Sequence, residues 1–148
     1  MIAIRDAKVA YPELLKNFQS FIEKFTSMAG ETGGVEKVDG GDARFEVFGK
    51  LFEFKFSMVR NQPGRPQIKF LGQIRAYTLI EEDGLPKKGI DLNQVWFDPN
   101  GNAQDTPTEE SRRYPLLESD SIKNFVDILL QNLLESDEFS PYEIQQKE

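Results

Sequence analysis

The chain has neither histidine nor cysteine among its 148 residues. Imidazole is the usual general base near neutral pH and a common metal ligand, and thiolate is the usual soft ligand and redox nucleophile. Without them there is no serine–histidine triad, no thiol chemistry, no Cys/His zinc centre and no haem ligation. The glycine-rich phosphate loops, GxGxxG and the P-loop, are missing too, as is the GxSxG nucleophile elbow. Long apolar runs are also missing. The most apolar stretch, Ile122 to Leu134, is interrupted by Lys123, Asn124, Asp127, Gln131 and Asn132, which rules it out as a bilayer span. At the start, Arg5 and Asp6 come too early for an apolar signal core. A cytoplasmic protein with no membrane partner is the simplest expectation.

Positive charge is in deficit as well. Lys and Arg number 18 against 25 Asp and Glu, a net charge of −7. Phosphate backbones reward the opposite balance, so nucleic acid is an unsuitable partner. An acidic surface suits a basic protein, because opposite potentials speed encounter and suppress wrong partners.

Twelve phenylalanines supply the mass of one core. From Pro12 to about Met28, Leu14, Leu15, Phe18, Phe21, Ile22 and Phe25 recur at three- and four-residue spacing, which predicts an amphipathic helix with Pro12 in its first turn. The period then switches to two. Ala43–Phe48 and Leu51–Met58 alternate, and a Gly49-Lys50 turn would set Val47 opposite Phe52 and Phe45 opposite Phe54. Gln67–Ile80 alternates again, with Gly72 on its apolar face marking a bulge or a close helix approach. Residues 81–89 read as a charged connection, Val95–Phe97 as a short strand and Ala103–Arg113 as a long polar loop. A second amphipathic helix opens near Ser119-Asp120 with Ile122, Phe125, Val126, Leu129, Leu130, Leu133 and Leu134 on its stripe. The expected fold is α+β, a two-layer sandwich in which an antiparallel meander of four or five strands carries both helices on one face. A single domain would span 1–135, followed by an acidic tail at 136–148.

No metal or cofactor is expected. Asp98, Asn100, Asn102 and Glu109 sit at calcium-loop positions, but Ala103 replaces the required glycine and Pro99 stiffens the start. A turn in which these side chains bond their own backbone explains the same residues. Paired carboxylates such as Glu81-Glu82 and Glu109-Glu110 show no sign of converging on one cleft, as acid–base work requires. The chain therefore reads as a non-enzyme.

Three features could bind. Glu81, Glu82, Asp83, Glu109 and Glu110 lie in loops at sheet ends, where function concentrates. Trp96, Tyr77 and Arg75 share the outer face of the sheet and have the composition of an interface anchor. Arg60, Arg65, Lys69 and Arg75 could hold a small anion through guanidinium forks.

The order helix–meander–helix, the small size and the low pI resemble the layout of immunity proteins that neutralise bacterial toxins and of type III secretion chaperones, a likeness of architecture and not of motif. The leading expectation is an immunity- or antitoxin-like inhibitor, monomeric, that docks its carboxylates on a basic protein partner. The alternatives are a dimeric chaperone that binds an extended segment and a binder of a small anion.

Overall fold

The computed structural model describes residues 3–32, 34–40, 43–60, 69–108 and 111–137. It opens with helix α1, Ala3–Thr32. The helix starts well before Pro12, because residues 4–11 are ordinary helix formers and Asp6 complements the positive end of the dipole. Pro12 is thus interior and leaves the Lys8 carbonyl without its usual donor. Both residues are exposed, on the side of the helix that faces solvent. Ala10, Leu14, Phe21, Ile22, Phe25 and Ala29 are buried, and Leu15 and Phe18 are half-buried.

Seven strands follow among the described residues: β1 Val35–Lys37, β2 Arg44–Val47, β3 Lys50–Arg60, β4 Phe70–Glu82, β5 Leu85–Phe97, β6 Asn102–Gln104 and β7 Arg113–Pro115. They pair antiparallel in chain order. Helix α2, Ser119–Leu134, ends the described fold. The α+β class with an antiparallel sheet and two helices is therefore as expected. The count of four or five strands is not, because the sheet has seven and curves into a half-barrel. Three of the strands have three residues each, too few to show alternation. The stretch expected as a loop from Ala103 holds most of β6 and the start of β7, with Ala103 fully buried opposite Phe97. Residues 81–89 are the outer part of a β4–β5 hairpin turning at Asp83-Gly84, both at positive φ.

The first hairpin turns one residue earlier than expected. Phe48 (φ 51°) and Gly49 (φ 78°) occupy the turn, which needs the left-handed region at both central positions. Phe45 consequently faces Phe52, and Arg44 faces Glu53. The register differs from the expected one by two residues, so every side chain keeps its face and only the partners change. The change is favourable electrostatically. Instead of Glu46 opposite Glu53 and Arg44 opposite Lys55, Arg44 Nη2 meets Glu53 Oε2 at 3.0 Å.

The concave side holds the core. Phe45, Phe52, Phe54 and Ile74 are buried against Phe21, Ile22, Phe125, Leu129 and Leu133, and Phe18, Phe56 and Phe70 pack at its rim. Gly72 marks no bulge; the Phe97 ring directly across the ladder fills the space that its missing side chain leaves.

Strand β5 departs from regular pairing twice, between Ala76 and Tyr77 and between Tyr77 and Leu79 on its partner. The irregularities are bridged by side chains. Thr78 Oγ1 accepts the Ile90 N–H at 2.9 Å. Asn93 Nδ2 donates to the Phe125 carbonyl at 3.2 Å, and Asn132 Nδ2 donates to the Leu92 carbonyl at 2.6 Å. Two amides thereby tie α2 to the bulged strand, Asn132 at a strand carbonyl and Asn93 at a helix carbonyl. Asn132→Ala is expected to lower stability by about 1–2 kcal/mol through an unsatisfied carbonyl, measured by urea denaturation. A change within a few tenths would show that water replaces the amide.

Among the described residues no helix is long and apolar enough to cross a membrane. The expected tail lies outside the described residues beyond Asp137, as do Gln67 and Ile68.

Candidate functional site

Strand β3 begins at Lys50 and pairs Leu51 with Leu79, so among the described residues β4 from about Ile80 outward is joined only to β5. The Asp83-Gly84 turn thus ends a two-stranded arm extending about 10 Å past the sheet, taking three rungs at ~3.3 Å each. Every residue from Ile80 to Asp91 is exposed except the half-buried Gly89. Ile80, Leu85 and Ile90 are 39%, 63% and 43% exposed. Glu81, Glu82 and Asp83, singled out from the sequence, are all exposed here. Glu82 bonds Lys87 at 3.3 Å, whereas Glu81 and Asp83 have no ion-pair partner among the described residues.

The register that sets Leu51 opposite Leu79 also brings the Phe48-Gly49 turn level with the base of this arm. Phe48 is 54% exposed. Beside it a groove of about 250 Å³ opens between α1, α2 and the first hairpin, lined by Phe25, Met28, Val35, Val47, Val126 and Leu130, with Lys123 and Asp127 on α2 also in its wall. One end of the half-barrel therefore gathers four exposed apolar side chains, an apolar groove and uncompensated carboxylates. Phe48, Ile80, Leu85, Ile90 and the groove are not apparent from the sequence. The first signal that could have pointed to them is the bulky residue before Gly49, where the turn favours Asn or Asp.

The outer face of the sheet is different in character. Tyr77 lies there, but only 8% of it is exposed; its hydroxyl donates to Glu53 Oε1 at 3.3 Å and Lys88 Nζ lies 5.8 Å from its ring centre. It is thus not the exposed anchor expected, because neighbouring long side chains cover it. Trp96 shares the face, half-buried between Gln73 and Gln104 in the ladder. Arg75 Nη2 holds both oxygens of Asp91 at 3.0 and 3.2 Å, and Lys88 adds a contact at 3.2 Å. Burial raises the Asp91 carboxyl, but the Lys88 and Arg75 hydrogen bonds outweigh it and bring the group below its ordinary value.

The basic cluster does not converge. Arg60 and Lys69 are exposed at one end of β3 and β4, Arg75 is engaged with Asp91 six residues along, and Arg65 lies outside the described residues. At the former calcium-loop positions, Asp98 Oδ1 accepts the Asn100 and Asn102 N–H groups at 2.9 and 3.0 Å, and Oδ2 accepts Asn102 Nδ2 at 3.1 Å. The carboxylate is spent on its own turn, as the backbone-bonding alternative requires. Glu109 and Glu110 lie outside the described residues.

Two phenols are shifted. Burial pushes Tyr77 up and Glu53 adds to it; burial also pushes Tyr114 well up, helped by its 2.7 Å bond to Asp105 Oδ1. A raised phenol favours the protonated folded state. Its contribution is complete below the unfolded value near pH 10 and is lost as pH climbs through the folded value. Absorbance at 295 nm is expected to show a late-ionising fraction above pH 10 that is missing in Tyr114→Phe; loss of normally ionising absorbance in that variant, with the late fraction kept, would show that Tyr114 is not a shifted phenol.

Comparison with protein families, curated proteins and solved structures finds no match.

Proposed function

We propose that this chain is a non-enzymatic protein-binding module, an immunity- or antitoxin-like inhibitor that docks as a monomer on a basic protein partner. The observation that carries the reading is the arm, on which exposed Ile80, Leu85 and Ile90 accompany Glu81 and Asp83, carboxylates without ion-pair partners among the described residues. Apolar side chains supply the area that is removed from water, and unpaired carboxylates supply attraction and orientation toward a cationic surface. The scattered positions of Arg60, Lys69 and Arg75 give a small anion no comparable seat.

Affinity capture from native lysate, run with the wild-type chain and with a Glu81→Lys/Asp83→Lys/Leu85→Asp variant, tests it. The wild type is expected to retain a basic protein that the variant loses. Association of the isolated pair should slow as salt rises through the physiological range, where exposed charges are screened over about 8–10 Å. Equal recovery by both baits, or an association rate indifferent to salt, removes the reading.

A further inference from the structure

The turn from β5 to β6 is held together by one residue. Asp98 N donates to the Asn102 carbonyl at 2.9 Å, and the Asp98 carbonyl accepts the Gly101 N–H at 3.0 Å. The Asp98 carboxylate takes the Asn100 and Asn102 N–H groups and the Asn102 side-chain amide. Two other parts of the fold are fastened to the same turn. Asn17 Nδ2 on α1 donates to the Pro99 carbonyl at 3.0 Å, and the N–H of buried Leu116, just after β7, donates to the Gly101 carbonyl at 2.9 Å. Glycine is required at 101, since its φ is 87° and a Cβ there would meet Asn17 Oδ1 at 3.2 Å. Asparagine is not required at 100. Its side chain is exposed and makes no hydrogen bond among the described residues, so aspartate or serine would serve the turn as well.

That pair of residues has a chemical consequence. Asn100 alone among the asparagines of the chain precedes a glycine. A main-chain nitrogen can attack the side-chain amide carbon of the asparagine before it, and glycine leaves the approach unobstructed where a side chain would crowd it. Asp39 and Asp83 also precede glycine, but an ionised carboxylate resists the same attack. In the closed turn the Gly101 N–H is engaged with Asp98, which fixes its direction. The exposed end of a hairpin opens locally at a lower cost than the core, and opening frees that nitrogen.

We infer that Asn100-Gly101 is a self-modification site, gated by the Asp98 clamp, whose product loosens the turn from α1 and from the β7–α2 connection. Gly101 N bonds to Asn100 Cγ, the Cγ–Nδ2 bond breaks, and the Gly101 proton leaves with the amide nitrogen as ammonia, giving a succinimide. Water then opens the ring. Cleavage at Cγ leaves aspartate; cleavage at the main-chain carbonyl carbon of residue 100 leaves isoaspartate, in which the chain runs through the former side chain. The added methylene lengthens a turn that Asp98 spans with its hydrogen bonds, and the new carboxylate stands beside that of Asp98. The site lies at the opposite end of β5 from the arm and is independent of the protein-binding reading.

The test incubates the whole folded chain in mildly alkaline buffer over several weeks. Anion exchange follows the charge, and peptide mapping with fragmentation that tells isoaspartate from aspartate locates the change. A form with one more negative charge is expected to accumulate, modified at 100 before any other asparagine. Asn100→Ser should abolish it without lowering the melting temperature. Asp98→Ala is expected to speed conversion about tenfold, the factor for about 1.4 kcal/mol, close to the value of one hydrogen bond to a charged group. Asn17→Ala, which frees only the Pro99 carbonyl, should speed it a few-fold and decides the matter if Asp98→Ala does not fold. The purified isoaspartate form should melt below both the wild type and Asn100→Asp, which carries the charge on an ordinary backbone. No conversion at 100 in the folded chain would overturn the inference. So would equal rates in the wild type and the folded turn variants, or an isoaspartate form that melts with Asn100→Asp.

Discussion

Replacing Phe54 by alanine is expected to remove about 3–5 kcal/mol of stability, the range for large-to-small changes in a packed core. Only 3% of Phe54 is exposed, and its ring meets five others: Phe25 at 4.8 Å between centroids, Phe21, Phe45 and Phe52 at 5.7 Å, and Phe125 at 6.0 Å. All five approach edge-on or tilted, from four different elements, so no single neighbour can swing in to fill the space. Because α1, β2, β3 and α2 all contribute a ring, the loss is felt across both layers. A domain of ordinary stability has about 5–15 kcal/mol in total, so the variant should melt roughly 10–15 °C lower. In urea the midpoint should fall with an unchanged slope. A loss below 1 kcal/mol would mean that the helices do not bear on β3 as described.

The second large effect comes from adding one methyl group. A Cβ built on Gly72 would lie 2.3 Å from Phe97 Cζ and within 2.7 Å of both Cε atoms. Phe97 is fully buried, sits directly across the ladder and packs beside Phe56 at 6.2 Å, so its ring has nowhere to retreat. Gly72→Ala is therefore expected to destabilise by about 1–3 kcal/mol through overpacking, although alanine is the better residue for the backbone itself. The pair can be isolated: Gly72→Ala combined with Phe97→Leu should be less destabilised than the sum of the two single changes. Additivity would refute the contact.

Periodicity recovers the parts of this fold in which one face is buried over many residues. The stripe of α1 from Leu14 to Phe25, the stripe of α2 and the inward phenylalanines of β2 and β3 are all found where alternation or helical spacing puts them. The hairpin register escapes the same argument, since a slip of two residues leaves Phe45, Val47, Phe52 and Phe54 on the same face. Turn chemistry would have to settle it, and Phe48 contradicts the usual preference. Most of β5 escapes for another reason. Leu85-Pro86-Lys87-Lys88-Gly89 has almost nothing to bury and thus no apolar period, so it reads as a connection although Leu85 to Lys88 are paired residue by residue with β4. The acidic part of the candidate site was visible because charge is visible in a sequence. Its apolar part was not, because Ile80, Leu85 and Ile90 become a surface only when the arm extends beyond β3.

The composition of that arm also governs how copies of the chain behave toward each other. From Leu85 to Val95, β5 has no strand on its second side among the described residues, since β6 reaches only Trp96 and Phe97. An open ladder of this length is a template for polymerisation. Pro86 withholds a donor, Lys87 and Lys88 repel an identical strand, and the irregular pairing around Ile90 bends the edge away from the flat geometry that fibrils stack. The sequence that conceals the strand from a reader thus also conceals it from another copy of itself, and concentrated solutions should stay free of cross-β fibrils as long as those residues are kept.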